Sequence, residues 1–296
     1  MRPTSTLALP KTAVLGAGGF FGRRLLAAHR AAHPDCVATY HTSGQPVLDI
    51  FRPDIAPLRL PATGHRDVVI AAAVVDVQKC EWQPELTYPG NVTGTLELIR
   101  QISEAGLKPI YISTDWVFRG DTGDYRDDAK QDPVCGYGAQ KAAVEQGIQA
   151  LCGDNFLVVR LSKLFSLDRG DHSTPDQIAA SLAQGRKVRA AWDQIYGPLL
   201  VEDAVGALLG LQAADAKGFV NICSPEIWSR FGVAEAIADA LGADRALVAS
   251  ISLDELEDKI QRPKRTNMIC ERLKQLAPFE FVPMAHCIAR VAANYR

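Results

Sequence analysis

Tyr137 and Lys141 stand four residues apart in the stretch YGAQK. On a helix of about 3.6 residues per turn, both side chains fall on one face. A free phenol titrates near about 10 and is a poor acid or base at neutral pH. A neighbouring ammonium stabilises the phenolate and lowers that value toward the range where proton transfer is efficient. The pair therefore reads as a proton donor, Tyr137, and its tuner, Lys141, whose ammonium can also clamp the ribose of a nicotinamide cofactor. Thr114 closes the apolar run PIYIST and would bring its hydroxyl to the reacting oxygen. Ser113 alternates to the other side of that run and need not take part.

A bare Y-x-x-x-K also occurs on solvated helices, so the surrounding elements must supply its meaning. The apolar run at Thr12–Leu15 stops at GAGGFFG and is followed by the helical pattern RRLLAAHRAAH. Gly16, Gly19 and Gly22 recur every third residue between a strand and a helix. Glycines there allow a sharp turn, the approach of backbone N–H groups to a pyrophosphate, and close helix packing. Further strand-like runs are CVATYHT, DVVIAAAVV from Asp67, PIYIST and FLVVRLS, with helices expected over about 92–105 and 137–151. Strands alternating with helices predict an α/β fold, a Rossmann-like doubly wound parallel sheet. Residues 1–165 form the expected NAD(P)-binding core, and strands near 188–223 are expected to rejoin it. Residues 166–296 mainly build a small C-terminal substrate-binding lobe.

An NAD enzyme usually carries an acidic residue after the second strand to hold the ribose hydroxyls. Here the strand runs into TYHTSG, where Thr42 and Ser43 could meet a 2′-phosphate and Arg23 or Arg24 could pair with it. NADP(H) is the preferred cofactor and NAD(H) the alternative.

The 296 residues are 47% hydrophobic and 22% charged, with 32 basic and 34 acidic side chains, as in an ordinary soluble protein. Charges of both signs are mixed, which gives no reason to expect a nucleic-acid or membrane partner. No apolar run is long enough to span a bilayer, and the broken N-terminal run is not a signal-peptide core. Seven scattered cysteines without a Cys-x-x-Cys pair argue for a reducing cytoplasm and against a structural metal site. His29 and His33 are spaced as ligands could be, but a polar helix surface explains them and no metal is expected.

The stretch STDWVFRGDTGDYRDDAKQDPVCGYGAQKAAVEQ resembles the extended short-chain dehydrogenase/reductase superfamily, and within it the dTDP-4-dehydrorhamnose reductase group. Members of that group carry S-T-D-x-V-F and later Y-G-x-x-K. The resemblance covers essentially the whole chain and implies NAD(P)H-dependent reduction of a 4-keto nucleotide sugar, with Thr114, Tyr137 and Lys141 catalytic. It implies that Phe20 and Phe21 in the glycine loop, Asp49 and Ile50 in VLDI, and Ala71, Ala72 and Ala73 serve the cofactor. Asp115, Trp116, Lys163 and Arg262 are implied on the substrate side, Arg262 in RPKRTNM as a diphosphate clamp. Lys163 stands where many members have Trp, so a cation replaces an aromatic wall and could meet an acidic substituent. Related dehydratases carry Asp-Glu after the threonine; Asp115-Trp116 here speaks against elimination.

Two other readings compete. One is a non-catalytic NADP-binding subunit like the regulatory subunit of methionine adenosyltransferase. The other is a reductase or epimerase of a non-nucleotide substrate. A homodimer is an assembly the chain admits.

Overall fold

The computed structural model describes residues 8–41 and 46–296. Its first half lays down strands β1 (Thr12–Leu15), β2 (Ala38–Thr39), β3 (Asp67–Ile70), β4 (Lys108–Thr114) and β5 (Leu157–Leu161). Helices α1 (Phe20–Ala32), α2 (Val77–Trp82), α3 (Pro84–Tyr88), α4 (Thr95–Glu104) and α5 (Gly136–Cys152) alternate with them. Short strands β6 (Leu164–Phe165), β7 (Val188–Ala191), β8 (Ile195–Tyr196) and β9 (Leu199–Leu200) follow, with α6 (Thr174–Leu182) among them. The chain continues through α7 (Val201–Ala213), β10 (Gly218–Ile222), β11 (Trp228–Ser229), α8 (Arg230–Leu241), β12 (Val248–Ile251), α9 (Glu271–Leu276) and α10 (Met284–Ala293).

Six strands form one parallel sheet in the order β10-β5-β4-β3-β1-β2. Its strands are apolar on both faces because both are covered, as parallel sheets require. Val14, Val69, Ile110 and Val159 meet α1 and α7 through Leu25, Val201 and Leu208. Their sequence neighbours Ala13, Val68, Tyr111 and Val158 point the other way, onto Leu98 and Ile99 of α4 and Val144 and Ile148 of α5. The chain leaves β1 toward one edge and returns at β3 to build toward the other. That reversal opens a crevice between the C-terminal ends of β1 and β3, where open sheets of this kind take ligands.

A third core joins α6, α8 and α10 through Ile178, Val233, Ile237, Ile288 and Val291. Ser229 caps α8 by accepting from the backbone N–H of Gly232 at 2.9 Å. The late strands divide among four sheets, with β8 pairing β11 and β9 pairing β6 outside the main one. Residues 218–222 join the main sheet beside β5, whereas β7, expected to rejoin it, pairs in parallel with β12 in a separate two-stranded sheet. Its Ala190 side chain is buried with α8 in the third core, so the same apolar pattern serves a different neighbour.

Two other elements differ from their expected extent. The run from Asp67 stops being a strand after Ile70, because residues 71–74 leave the sheet to line the crevice. The helix expected from about residue 92 becomes regular only at Thr95, after a π-helical turn over Pro89–Gly94. Among the described residues, no helix is long and apolar enough to cross a membrane.

Candidate active site

The crevice holds a cavity of about 320 Å³ lined by the glycine loop, Tyr40, Ile50 and Ala71 through Val74. Gly16 has a φ of +89°, and a Cβ there would lie 2.5 Å from the backbone nitrogen of Ala72. A Cβ on Gly22 would collide with the carbonyl oxygen of Gly16, so its absence lets α1 start directly over the loop. Gly19 is the N-cap of α1 and offers no side-chain cap, leaving the first backbone N–H groups of the helix for a ligand. Thirteen residues of helix dipole stand behind them. A close backbone cradle, free helix donors and apolar walls fit a dinucleotide.

The expected cofactor residues are not equally placed. Gly16, Gly19, Ile50, Ala71, Ala72 and Ala73 line the cavity. Phe21 is 7% exposed and packs into the core, so only its backbone can serve a ligand. Phe20 instead carries the guanidinium of Arg24, 4.6 Å from its ring centre. Asp49 is exposed and accepts from the backbone N–H of Phe51 at 2.9 Å, outside the cavity lining. Thr42 and Ser43 lie outside the described residues. Arg24 corrects an expectation: it donates to Glu202 at 2.9 Å and Asp168 at 2.6 Å, and is thereby committed. Arg23 is exposed, 5.7 Å from the Phe20 ring centre.

Thr114 ends β4 and Tyr137 lies in the first turn of α5, where the Thr114 hydroxyl acts on the Tyr137 phenol. The Thr114 hydroxyl also donates to Asp115 Oδ1 at 3.1 Å and accepts from the backbone N–H of Trp116 at 3.2 Å. Tyr137 meets Trp116 edge to face, with ring centres 6.1 Å apart. Lys141, one turn on, donates to the carbonyl oxygen of Ile112 at 2.9 Å and lies 4.8 Å from the Tyr111 ring centre.

The electrostatic tuning runs opposite to the expectation. Burial and the carboxylate of Asp115 raise the Tyr137 phenol well above its ordinary value, and Lys141 is not among the dominant influences on it. Burial brings Lys141 itself down to about 8. The i, i+4 spacing does put both groups on one helix face, but the ammonium is held by a backbone oxygen of the neighbouring strand.

Asp115 is 2% exposed, and burial raises its carboxyl to about 6 against the hydrogen bonds from Thr266, Thr114 and Ser162. Lys163 stands two residues past β5 with Asp115, Arg230 and Arg262 as its charged neighbours. Arg262 is paired with Asp258 through both guanidinium Nη atoms. Ser113 turns away from the site and donates to Glu145 at 2.5 Å, as strand alternation requires.

Several contributors were not picked out from sequence. Asn91 is 3% exposed and brackets Val74, accepting from its N–H at 2.7 Å and donating to its carbonyl oxygen at 2.9 Å. It donates also to Gln140 at 2.8 Å, linking the crevice wall to α5. Tyr40 and His41 line the cavity, and Tyr196, Arg230 and Thr266 approach Asp115 and Lys163 from the later chain. Asn91 stands in the mixed stretch TYPGNVTGT, where only a lone amide marks it. Nothing local marks the others. His29 is also misplaced by surface reasoning: it is fully buried, with Nε2 3.0 Å from Gln212 Oε1. Among the described residues, no cluster of side chains could hold a metal ion.

Residues 11–296 match the family described as the RmlD substrate binding domain. The dTDP-4-dehydrorhamnose reductase of Mycobacterium tuberculosis is 33% identical over 246 residues, covering 81% of this chain and 78% of that protein. The probable low-salt glycan biosynthesis reductase of Haloferax volcanii is 29% identical over 265 residues, covering 86% and 87% respectively. The fold is that of the dTDP-4-dehydrorhamnose reductase of Bacillus anthracis solved in complex with NADP, with a TM-score of 0.82 at 23% identity over 97% of this chain and 99% of that one. With the glycine crevice, the Thr114–Tyr137 contact and a match over nearly its full length, the chain belongs to the RmlD substrate binding domain family.

Proposed function

We propose that this protein reduces the 4-keto group of a nucleotide sugar with NADPH, Tyr137 being the proton donor. The observation that carries the reading is the meeting of the Thr114 and Tyr137 hydroxyls at the sheet edge that also opens the glycine crevice. The relatives named as dTDP-4-dehydrorhamnose reductases support the substrate class.

When bound, the reduced nicotinamide supplies a hydride to the carbonyl carbon. Thr114 and Tyr137 hold the carbonyl oxygen between their hydroxyls. Tyr137 keeps its proton at neutral pH because its phenol titrates high. It gives that proton up as the oxygen becomes an alkoxide, a far stronger base than a ketone. The Tyr137 proton is therefore present for reduction without a lysine having to lower its pKa. Lys141, fixed by Ile112, is the residue that would hold the cofactor ribose. Arg23 is the cation left to meet a 2′-phosphate, since Arg24 is paired. Asp115, Trp116, Lys163 and Arg262 face the sugar nucleotide. The seven cysteines are all free, which suits a reducing cytoplasm.

The test is NADPH oxidation by the purified protein across a panel of 4-keto nucleotide sugars, with NADH in parallel. Turnover with NADPH and at least one such sugar is expected. Tight NADPH binding with no turnover on any of them would overturn the reading.

A further inference from the structure

Tyr137 stands between two glycines, and another backbone lies against each of them. A Cβ on Gly136 would be 2.3 Å from the carbonyl oxygen of Cys80, on α2. A Cβ on Gly138 would be 2.2 Å from the carbonyl oxygen of Trp116, in the turn after β4. Neither neighbour is a side-chain end that could swing away, so an alanine at either place must shift a backbone. The first turn of α5 is gripped from two sides, by α2 and by the turn that follows Thr114.

One side chain closes that grip. The backbone N–H of Gly136 donates to Oε2 of Glu81 at 2.5 Å. Gly136 is the first residue of α5, and its N-cap, Cys135, makes no side-chain cap hydrogen bond. The first N–H groups of a helix have no partner within it, and an unpartnered first turn frays. Here the partner comes from another helix, and its carboxylate sits at the positive end of 17 residues of helix dipole.

The helix that supplies Glu81 hangs from the cofactor crevice. Residues 71–74 line the cavity, and Val77 opens α2 three residues later. Asn91 holds Val74 by two hydrogen bonds and donates to Gln140 of α5, which donates in turn to Thr87 Oγ1 at 2.8 Å. The segment beside the cofactor is therefore tied to the helix of Tyr137 at two points, Gln140 and Gly136.

We infer that Glu81 is a positioning residue for the reduction: by capping α5 at Gly136, it holds the Tyr137 phenol in register with the Thr114 hydroxyl. The inference rests on the reductase reading and adds to it a residue that acts through Tyr137. A proton donor must lie within hydrogen-bond reach of the carbonyl oxygen, and a displacement of about 1 Å costs on the order of 10²-fold in rate.

The test is steady-state kinetics with NADPH and a 4-keto nucleotide sugar, dTDP-4-dehydrorhamnose first, on variants of Glu81. Glu81→Ala removes the acceptor. Glu81→Asp keeps the charge and loses reach, whereas Glu81→Gln keeps the reach and an acceptor oxygen. The first two should lose about ten- to hundredfold in kcat with the KM for NADPH changed by less than about twofold, and Glu81→Gln should restore most of the rate. In a Tyr137→Phe background, Glu81→Ala should cost less than about twofold more, because the group it positions is gone. A full further loss there marks general weakening of the fold and overturns the inference. So does native kcat in Glu81→Ala, or a Glu81→Asp variant faster than Glu81→Gln. Amide hydrogen exchange over residues 136–140 reads the cap without turnover, and should quicken by about tenfold in Glu81→Ala but not in Glu81→Gln. Unchanged exchange overturns the cap and leaves the reductase reading standing. A native protein that reduces no such sugar, with the exchange difference present, removes the reductase reading and the positioning role with it.

Discussion

The ammonium of Lys141 donates to the carbonyl oxygen of Ile112 at 2.9 Å, joining the helix that carries Tyr137 to the strand that ends in Thr114. The lysine is 6% exposed, and the contact fixes where its charge lies relative to the glycine crevice. Lys141→Met keeps the length of the side chain and removes the charge. NADPH affinity, followed by fluorescence titration, should fall by about tenfold or more, as for the loss of a charged hydrogen bond. Unchanged affinity would remove the clamp role and leave the lysine a purely structural tie.

Tyr137→Phe removes the transferable proton and little else, because the ring keeps its edge contact with Trp116. The expected loss in kcat is roughly 10²- to 10⁴-fold, the usual worth of a positioned acid, with NADPH binding nearly intact. A variant turning over at the normal rate would show that another group supplies the proton.

Asp115 makes stability depend on pH in a direction opposite to most carboxylates. Its carboxyl titrates at about 6 in the fold against an ordinary 3.8, so the folded state holds the extra proton between those values. The stabilisation that proton brings is complete below the ordinary value and is lost as pH rises through about 6. Asp115→Asn, neutral at every pH, should therefore gain on the native protein above that point, by about 3 kcal/mol at full ionisation. Thermal unfolding of both proteins at pH 5 and pH 8 reads the difference. A variant no more favoured at the higher pH would contradict the assigned direction.

His29 acts at the acid end. Burial lowers its imidazole from 6.5 to about 4, with the Gln212 contact opposing that shift. The fold therefore favours neutral His29; its contribution is complete above the ordinary value and is lost as pH falls through about 4. Full protonation costs about 3 kcal/mol. His29→Gln should flatten the fall in melting temperature between pH 6.5 and pH 4. An unaltered slope would assign the acid sensitivity to other groups.

Much of this was legible because it is local. The β1–glycine–α1 unit is written in consecutive residues, and so is the strand that delivers Thr114. Spacing alone also puts Tyr137 and Lys141 on one face. It could not show what Lys141 reaches, because Ile112 lies on another element. Ala71–Ala73 extended the apparent strand because an alanine run looks alike whether it pairs in a sheet or lines a crevice. His29 looked like a surface residue because its partner Gln212 lies on α7, far along the chain. β7 carried the same ambiguity: four residues of strand do not say which sheet they enter.

The placement of β10 has a consequence for how the protein is made. Synthesis runs from the N-terminus, so β5 emerges from the ribosome well before residues 218–222 exist to cover its outer edge. Until then Leu157–Leu161 offers an apolar strand with unpaired backbone groups, and the helix α7 that will seal one face of the sheet has not arrived either. The nascent chain therefore carries a nucleotide loop finished early and a sheet edge closed late, once α7 and β10 have followed.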